Sequence, residues 1–440
     1  MMTILYLLIV IVMIVLATTI LKLHPFLTLL LAAVIMGFLG GLDMDLVIGK
    51  LTEGFGNTLN SIGIVIACGT IIGTYLERSG GAKQMAASIL KLVGERKSPL
   101  AMSITGYLVS IPVFCDSGFI ILSTLNKAIS KRTGLSLSVL AVALATGLYT
   151  THVFVPPTPG PLAAAATIGA DIGLIITLGL LVSLPTAGAG LLWALFYSKR
   201  FSIVNHDEIQ LETKDEKEPG TLMSFIPLMV PIILIALGSV ANYPTLPFGN
   251  GAILTVSSFI GHPVIALIIG VFLAFGLKRG DITETHFDWV LTGLKNAGVI
   301  ILITGAGGAF GNVLRATDIT ETLGQFISQW HIGIFLPFII AAVLKSAQGS
   351  STVAIITTAA LISPLLMPLG LETPVAKALT VLSIGAGSMT VSHVNDSYFW
   401  VVAQFSDMNT ATALKCHTMA TLIQGITGII TIAILSLFLI

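Results

Sequence analysis

Uninterrupted apolar runs of about 20 residues recur along this chain, and they constrain its fold more than any other feature. "ILYLLIVIVMIVLATTIL" (4–21) and "TLIQGITGIITIAILSLFLI" (421–440) are two of them, each long enough to cross roughly 30 Å of hydrocarbon as a helix. Backbone polar groups in lipid must be satisfied within the segment, which favours helices over open strands. With 55% hydrophobic and 10% charged residues and a mean hydropathy of +0.99, the chain carries more apolar surface than one water-soluble core hides. An all-α polytopic membrane protein is expected. The first run lacks the basic leader and small-residue cleavage site of a signal peptide and is read as a retained helix. Lys plus Arg and Asp plus Glu number 21 each, and no basic stripe points to nucleic acid. Cys68, Cys115 and Cys416 lack CxxC spacing, so neither a disulfide framework nor a metal site is expected.

One long polar stretch, "KRFSIVNHDEIQLETKDEKEPG" (199–220), separates two related halves. A shift of 238 residues lays "HPFLTLLLAAVIMGF" on "HPVIALIIGVFLAFG" and "GTYLERSGGAKQMAASI" on "GNVLRATDITETLGQFI". Shifts of 233 and 241 pair "CDSGFIILSTLNKAIS" with "AQGSSTVAIITTAALIS" and "TTHV" with "VSHV". The expected organisation is an N-terminal repeat (1–198), a cytoplasmic linker (199–220) and a C-terminal repeat (221–440).

Positive charge collects in cytoplasmic loops. Lys22, the basic residues of 78–97, Lys127, Lys131, Arg132, the linker, Lys278, Arg279 and Lys415 can all lie inside, provided that residues 99–129 enter and leave on one side. Lys50, Arg315, Lys345 and Lys377 fall elsewhere or within the membrane, and Lys295 lies near an inner helix end. We therefore expect a re-entrant hairpin at about 99–129, broken around "PVFCDSG", and a counterpart at about 333–363 with "SAQGSS" at its tip. About ten spanning helices plus two hairpins then form two inverted-topology repeats, the arrangement of many secondary transporters, with broken helices and a ligand site at the midplane.

Four polar breaks carry the candidate chemistry: "FCDSGF" (114–119), "TTHVFVPPTPGP" (150–161), "KSAQGSST" (345–352) and "SHVNDSYFW" (392–400). Irregular backbone survives at membrane depth only where it is buried in protein or lines a wet cavity. Ser117, Gly118, Gly349, Ser350, Ser351 and Thr352 precede or open apolar runs, and free N–H groups at such helix starts suit a carboxylate. Thr158 and Asn395 add a hydroxyl and an amide, which both donate and accept. Asp116, Asp396, His152 and His393 are ionisable at membrane depth, where function is the default reading.

Simpler roles compete. Asp116 and Asp396 could each cap a following helix, and the two histidines could bridge neighbouring helices. Lys345 could snorkel, though beside "AQGSS" an anion or aspartate partner is preferred. His24 and His262, each before a proline, are read as structural. The glycine run "TGAGGAFG" (304–311) lies in an apolar helix and is read as close helix packing, not a dinucleotide loop.

"FCDSGF", "VPPTPGP", "AQGSSTVA" and "SHVNDSYFW" resemble the corresponding segments of the gluconate permease family of bacterial proton symporters, and the resemblance extends over nearly the whole chain. It implies uptake of gluconate or a related sugar acid through the bacterial plasma membrane. The driving force would be the proton gradient, with no cofactor. It also implies a homodimer in which a hairpin-bearing domain moves against a scaffold. Relatives differ in substrate, D-serine and other hydroxy acids included. On this reading Ser117, Gly118, Thr158, Gly349, Ser350, Ser351, Thr352, Asn395 and Lys345 bind substrate, while Asp116, Asp396, His152 and His393 couple protons. An intramembrane enzyme is the rival class, but no HExxH occurs, and Ser392 and His393, adjacent on one helix, would not face each other. A passive channel would not need two matching gates.

Overall fold

The computed structural model describes residues 2–201, 203, 219–242, 251–278, 284–317, 333–394 and 396–440. Among these the chain is helical, with no strand. Most of the linker and Asn395 lie outside the described residues.

In chain order the first group comprises α1 (Met2–Thr19), α2 (Pro25–Leu39), α3 (Met44–Arg78) and α4 (Gly81–Val93). The helices α5 (Ser98–Val109), α6 (Cys115–Thr133), α7 (Leu137–Phe154), α8 (Pro159–Ile168) and α9 (Ile172–Phe196) complete the first half. The second half runs through α10 (Thr221–Ala241), α11 (Ala252–Ile260), α12 (Pro263–Phe275) and α13 (His286–Arg315). It continues as α14 (Phe335–Gln348), α15 (Ser351–Ile362), α16 (Pro374–Met389), α17 (Ser397–Phe405), α18 (Thr410–Ala413) and α19 (Met419–Leu439). A π-helical turn, Leu414–Thr418, joins the last two.

The halves reuse the same local devices. His24 and His262 each cap a helix that opens with proline, their Nδ1 atoms accepting from Phe26 N at 3.3 Å and Val264 N at 3.4 Å. That is the structural role expected of them. Proline at the first helical position sacrifices only an N–H that would have been unbonded there.

Helices α3 and α13, related by the 238-residue shift, pack antiparallel. At one end Arg78 pairs with Glu284 at 2.5 Å and the Tyr75 hydroxyl meets His286 Nδ1 at 2.8 Å. At the other, Asn312 Nδ2 donates to the Lys50 carbonyl at 2.8 Å. Between them the glycine run lets the backbones touch: a β-carbon on Gly54 would stand 2.5 Å from the Gly308 carbonyl oxygen. Close helix packing is thus what "TGAGGAFG" serves.

Among the described residues five helices or continuous pairs are long and apolar enough to cross a membrane, or seven if two bent pairs each count as one span. Four further apolar helices, including Phe335–Gln348 and Pro374–Met389, are shorter, cut by the polar breaks. The centre is α7, buried along its whole length, as a helix apolar on all faces should be. Residues 351 and 353–362 of α15 are likewise buried.

Candidate functional site

All four breaks interrupt helices. Residues 110–114 separate α5 from α6, 155–158 separate α7 from α8, 349–350 separate α14 from α15, and 390–396 separate α16 from α17. The last two lie in the second half of the chain, and side chains tie them to the first.

Lys345, in the last turn of α14, is fully buried and pairs with Asp396 at 2.6 Å; it also donates to the Gly349 carbonyl. This is the aspartate partner preferred over snorkelling. Asp396 caps α17, accepting from Tyr398 N at 3.1 Å, and accepts from the Ser392 hydroxyl at 2.5 Å. One carboxylate therefore serves as helix cap and counter-ion together.

Tyr149 of α7 joins the halves, its hydroxyl 3.2 Å from Ser351 Oγ and 3.4 Å from the Ser388 carbonyl. The Lys345 ammonium stands 5.8 Å from the same ring. Tyr398 returns the connection by donating to the Ala145 carbonyl at 2.9 Å, and its ring meets Phe119 of α6 edge-on at 6.3 Å. Asp116 lies within electrostatic reach of both Asp396 and Lys345.

Asp116 does not cap α6. Phe114 holds the cap position without a side-chain bond, and Asp116 Oδ1 is buried with no partner among the described residues. His152 does not bridge helices through Nδ1, which is also buried and unpartnered among them. Its ring lies 6.1 Å from that of Phe114. His393 does bridge, with Nε2 3.2 Å from the Ser346 carbonyl. Thr158 Oγ1 donates to the Val155 carbonyl at 2.7 Å. Ser350 caps α15 by accepting from Val353 N at 3.3 Å, and Gly349 takes the left-handed φ of +82° that closes α14. Ser117 and Thr352 are half-buried beside the starts of α6 and α15, whose first N–H groups have no intrahelical partner. Gly118 is packed against Leu148, and its N–H is bound to the Phe114 carbonyl at 2.8 Å.

Sequence reasoning missed Tyr149, Ser392 as an acceptor-donor link, and His417. His417 is fully buried in the π-helical turn, its Nε2 3.2 Å from Ser392 Oγ. A histidine inside the apolar stretch "ALKCHTMATL" was its available signal. Among the described residues no three His, Cys, Asp or Glu side chains gather as a metal site, and the three cysteines are free and buried.

The breaks rest on small residues of α3. A β-carbon on Gly69 would stand 3.1 Å from the Pro157 carbonyl oxygen, and Gly73 lies against Pro112. Their equivalents under the 238-residue shift, Gly307 and Gly311, face Ile356 and Ala360 of α15. A small cleft, with room for about one water molecule, lies beside Gly69, Phe114 and Thr158.

A helical membrane protein with a charged, buried cluster where interrupted helices meet is a membrane transporter by class. The chain belongs to the GntP permease family, whose model, described as GntP family permease, matches residues 2–438. It is 35% identical to the gluconate permease of Pseudomonas aeruginosa over 95% of this chain and 94% of that one. It is 33% identical to the D-serine transporter DsdX of Escherichia coli over 96% of each, and 39% identical to an uncharacterized permease of Haemophilus influenzae over 88% of this chain and 82% of that one. Among solved structures it is similar to the YdaH transporter of Alcanivorax borkumensis, with a TM-score of 0.68 at 14% identity, covering 95% of this chain and 99% of that one; that likeness concerns the fold. Membership of a permease family sets aside the intramembrane enzyme.

Proposed function

We propose that the protein is a proton-coupled symporter that brings gluconate or a related sugar acid across the bacterial plasma membrane by elevator-like alternating access. The observation that carries this reading is the buried Lys345–Asp396 pair, which joins the third and fourth breaks and lies within electrostatic reach of Asp116 at the first. A charged pair far from water is costly to build and has a functional default at membrane depth. Around it the starts of α6 and α15 offer N–H groups, and Ser117, Thr158, Ser350, Ser351, Thr352 and Asn395 offer groups for a carboxylate and hydroxyls. Gly349 allows close backbone approach, Gly118 seats the start of α6 against Leu148, and Lys345 supplies positive charge. Asp116, Asp396, His152 and His393 are the proton-coupling candidates.

The antiparallel packing of α3 on α13 supports two inverted repeats, 1–198 and 221–440, joined by a cytoplasmic linker. In this reading α5–α6 and α14–α15 are the re-entrant hairpins among about ten spanning helices. The paired glycines of α3 and α13 suit a smooth face along which the hairpin-bearing unit slides, with homodimerisation holding the scaffold. Uptake of labelled gluconate into vesicles, challenged with other sugar acids and D-serine and with a protonophore, tests the proposal. Accumulation that survives the protonophore, or competition by none of these acids, would overturn it. D-serine is the second reading, favoured by similarity to DsdX along nearly the full length.

A further inference from the structure

The proton-coupling candidates above do not include His417, a buried imidazole wired to the ion pair. Ser392 Oγ carries one hydrogen, and it is given to Asp396 at 2.5 Å. Ser392 can therefore only accept from His417 Nε2, 3.2 Å away. Ser392 is itself pinned, its N–H donating to Thr421 Oγ1 at 2.9 Å and its carbonyl accepting from Thr418 Oγ1 at 2.5 Å. The proton of neutral His417 is thus held on Nε2, and Nδ1 is left as a bare acceptor. Nδ1 is buried without a partner among the described residues.

The charged and titratable neighbours are few. Asp396 and Lys345 act on His417 electrostatically, and the Tyr398 ring meets it edge-on at 5.4 Å. Tyr149 of α7 lies against Tyr398 at 5.1 Å, helix α9 carries no charged residue, and Lys415 and Cys416 share the turn with His417. Lys345 and Asp396 cancel each other. An incoming carboxylate beside Asp116 then brings two negative charges into one low-dielectric site, and two protons balance them. Asp116 can take one.

We propose that Nδ1 of His417 is the second proton site, so that each carboxylate travels with two protons. A proton adds to the Nδ1 lone pair and makes a cation. The Nε2–H bond to Ser392 is kept, and through it the charge is shared toward Asp396. The alternating movement exposes the site first to one aqueous phase and then to the other, and the proton leaves as it came. The inference rests on the proton-coupled reading above, and the test separates the two.

Purified protein in liposomes with the membrane potential clamped at zero is given a pH gradient of one unit and labelled gluconate, or labelled D-serine in parallel. Each coupled proton multiplies accumulation about tenfold per pH unit. The expected accumulation of gluconate is about hundredfold for the wild type and about tenfold for H417Q, whose amide can still donate to Ser392 but cannot take a proton. A wild type that reaches only tenfold, with H417Q the same, overturns the second site and leaves proton coupling standing. A wild type that accumulates neither compound in response to the gradient overturns both. S392A removes one hydroxyl and serves if H417Q does not reach the membrane. Without the link to Asp396 the cation loses support, and half-maximal uptake should move about one pH unit lower; an unmoved profile overturns the proposal.

Discussion

Lys345 and Asp396 form an ion pair of 2.6 Å in which neither side chain exposes more than 4% of its surface. Removing one member leaves the other charged and unpaired away from water, a loss of about 3–5 kcal/mol. K345M and D396N should each lower the melting temperature of the detergent-solubilised protein sharply. The double variant should recover much of that loss while remaining inactive. Single variants as stable as the wild type would contradict the pairing.

Asp116 differs, because its buried Oδ1 has no partner among the described residues and its carboxyl caps nothing. D116N should therefore fold normally and still exchange substrate across the membrane. Its concentrative uptake should fall about tenfold per unit of pH gradient for the one proton lost. Undiminished accumulation would remove Asp116 from the coupling groups.

The glycines of α13 are not equivalent. A β-carbon on Gly308 would stand 2.8 Å from the Gly54 carbonyl oxygen, whereas one on Gly298 meets nothing within 4 Å. G308A should cost about 1–3 kcal/mol through overpacking. G298A should be neutral or stabilising by up to about 1 kcal/mol, since alanine favours the helix. Thermal unfolding of the two variants side by side decides this, and equal losses would refute the close backbone contact.

Gly73 lies against Pro112 at the break between α5 and α6. If that face is where the mobile unit slides and the movement limits the cycle, G73A should slow turnover severalfold while half-saturation stays within about twofold. A variant that folds and transports at the wild-type rate would argue against sliding there.

Much of the site could be located before any tertiary contact was known, because prolines, glycines and polar residues within apolar runs mark broken helices by local chemistry alone. The capping roles of His24 and His262 and the packing role of "TGAGGAFG" were legible for the same reason. Asp116 was read as functional more readily than as a helix cap because it is ionisable at membrane depth, and in the structure it caps nothing. His417 was overlooked because its partner Ser392 is 25 positions away, and periodicity carries no signal at that separation.

By itself the amino-acid sequence determined a helical membrane chain and the positions of its four breaks. Each of these follows from hydrocarbon length, backbone satisfaction and residue type acting locally. Only the tertiary structure decided that Lys345 meets Asp396 across 51 residues, that Tyr149 meets Ser351, and that His417 is tied to the pair through Ser392. Such partners are chosen by how buried helices pack, and many sequences with the same pattern of apolar runs would choose differently.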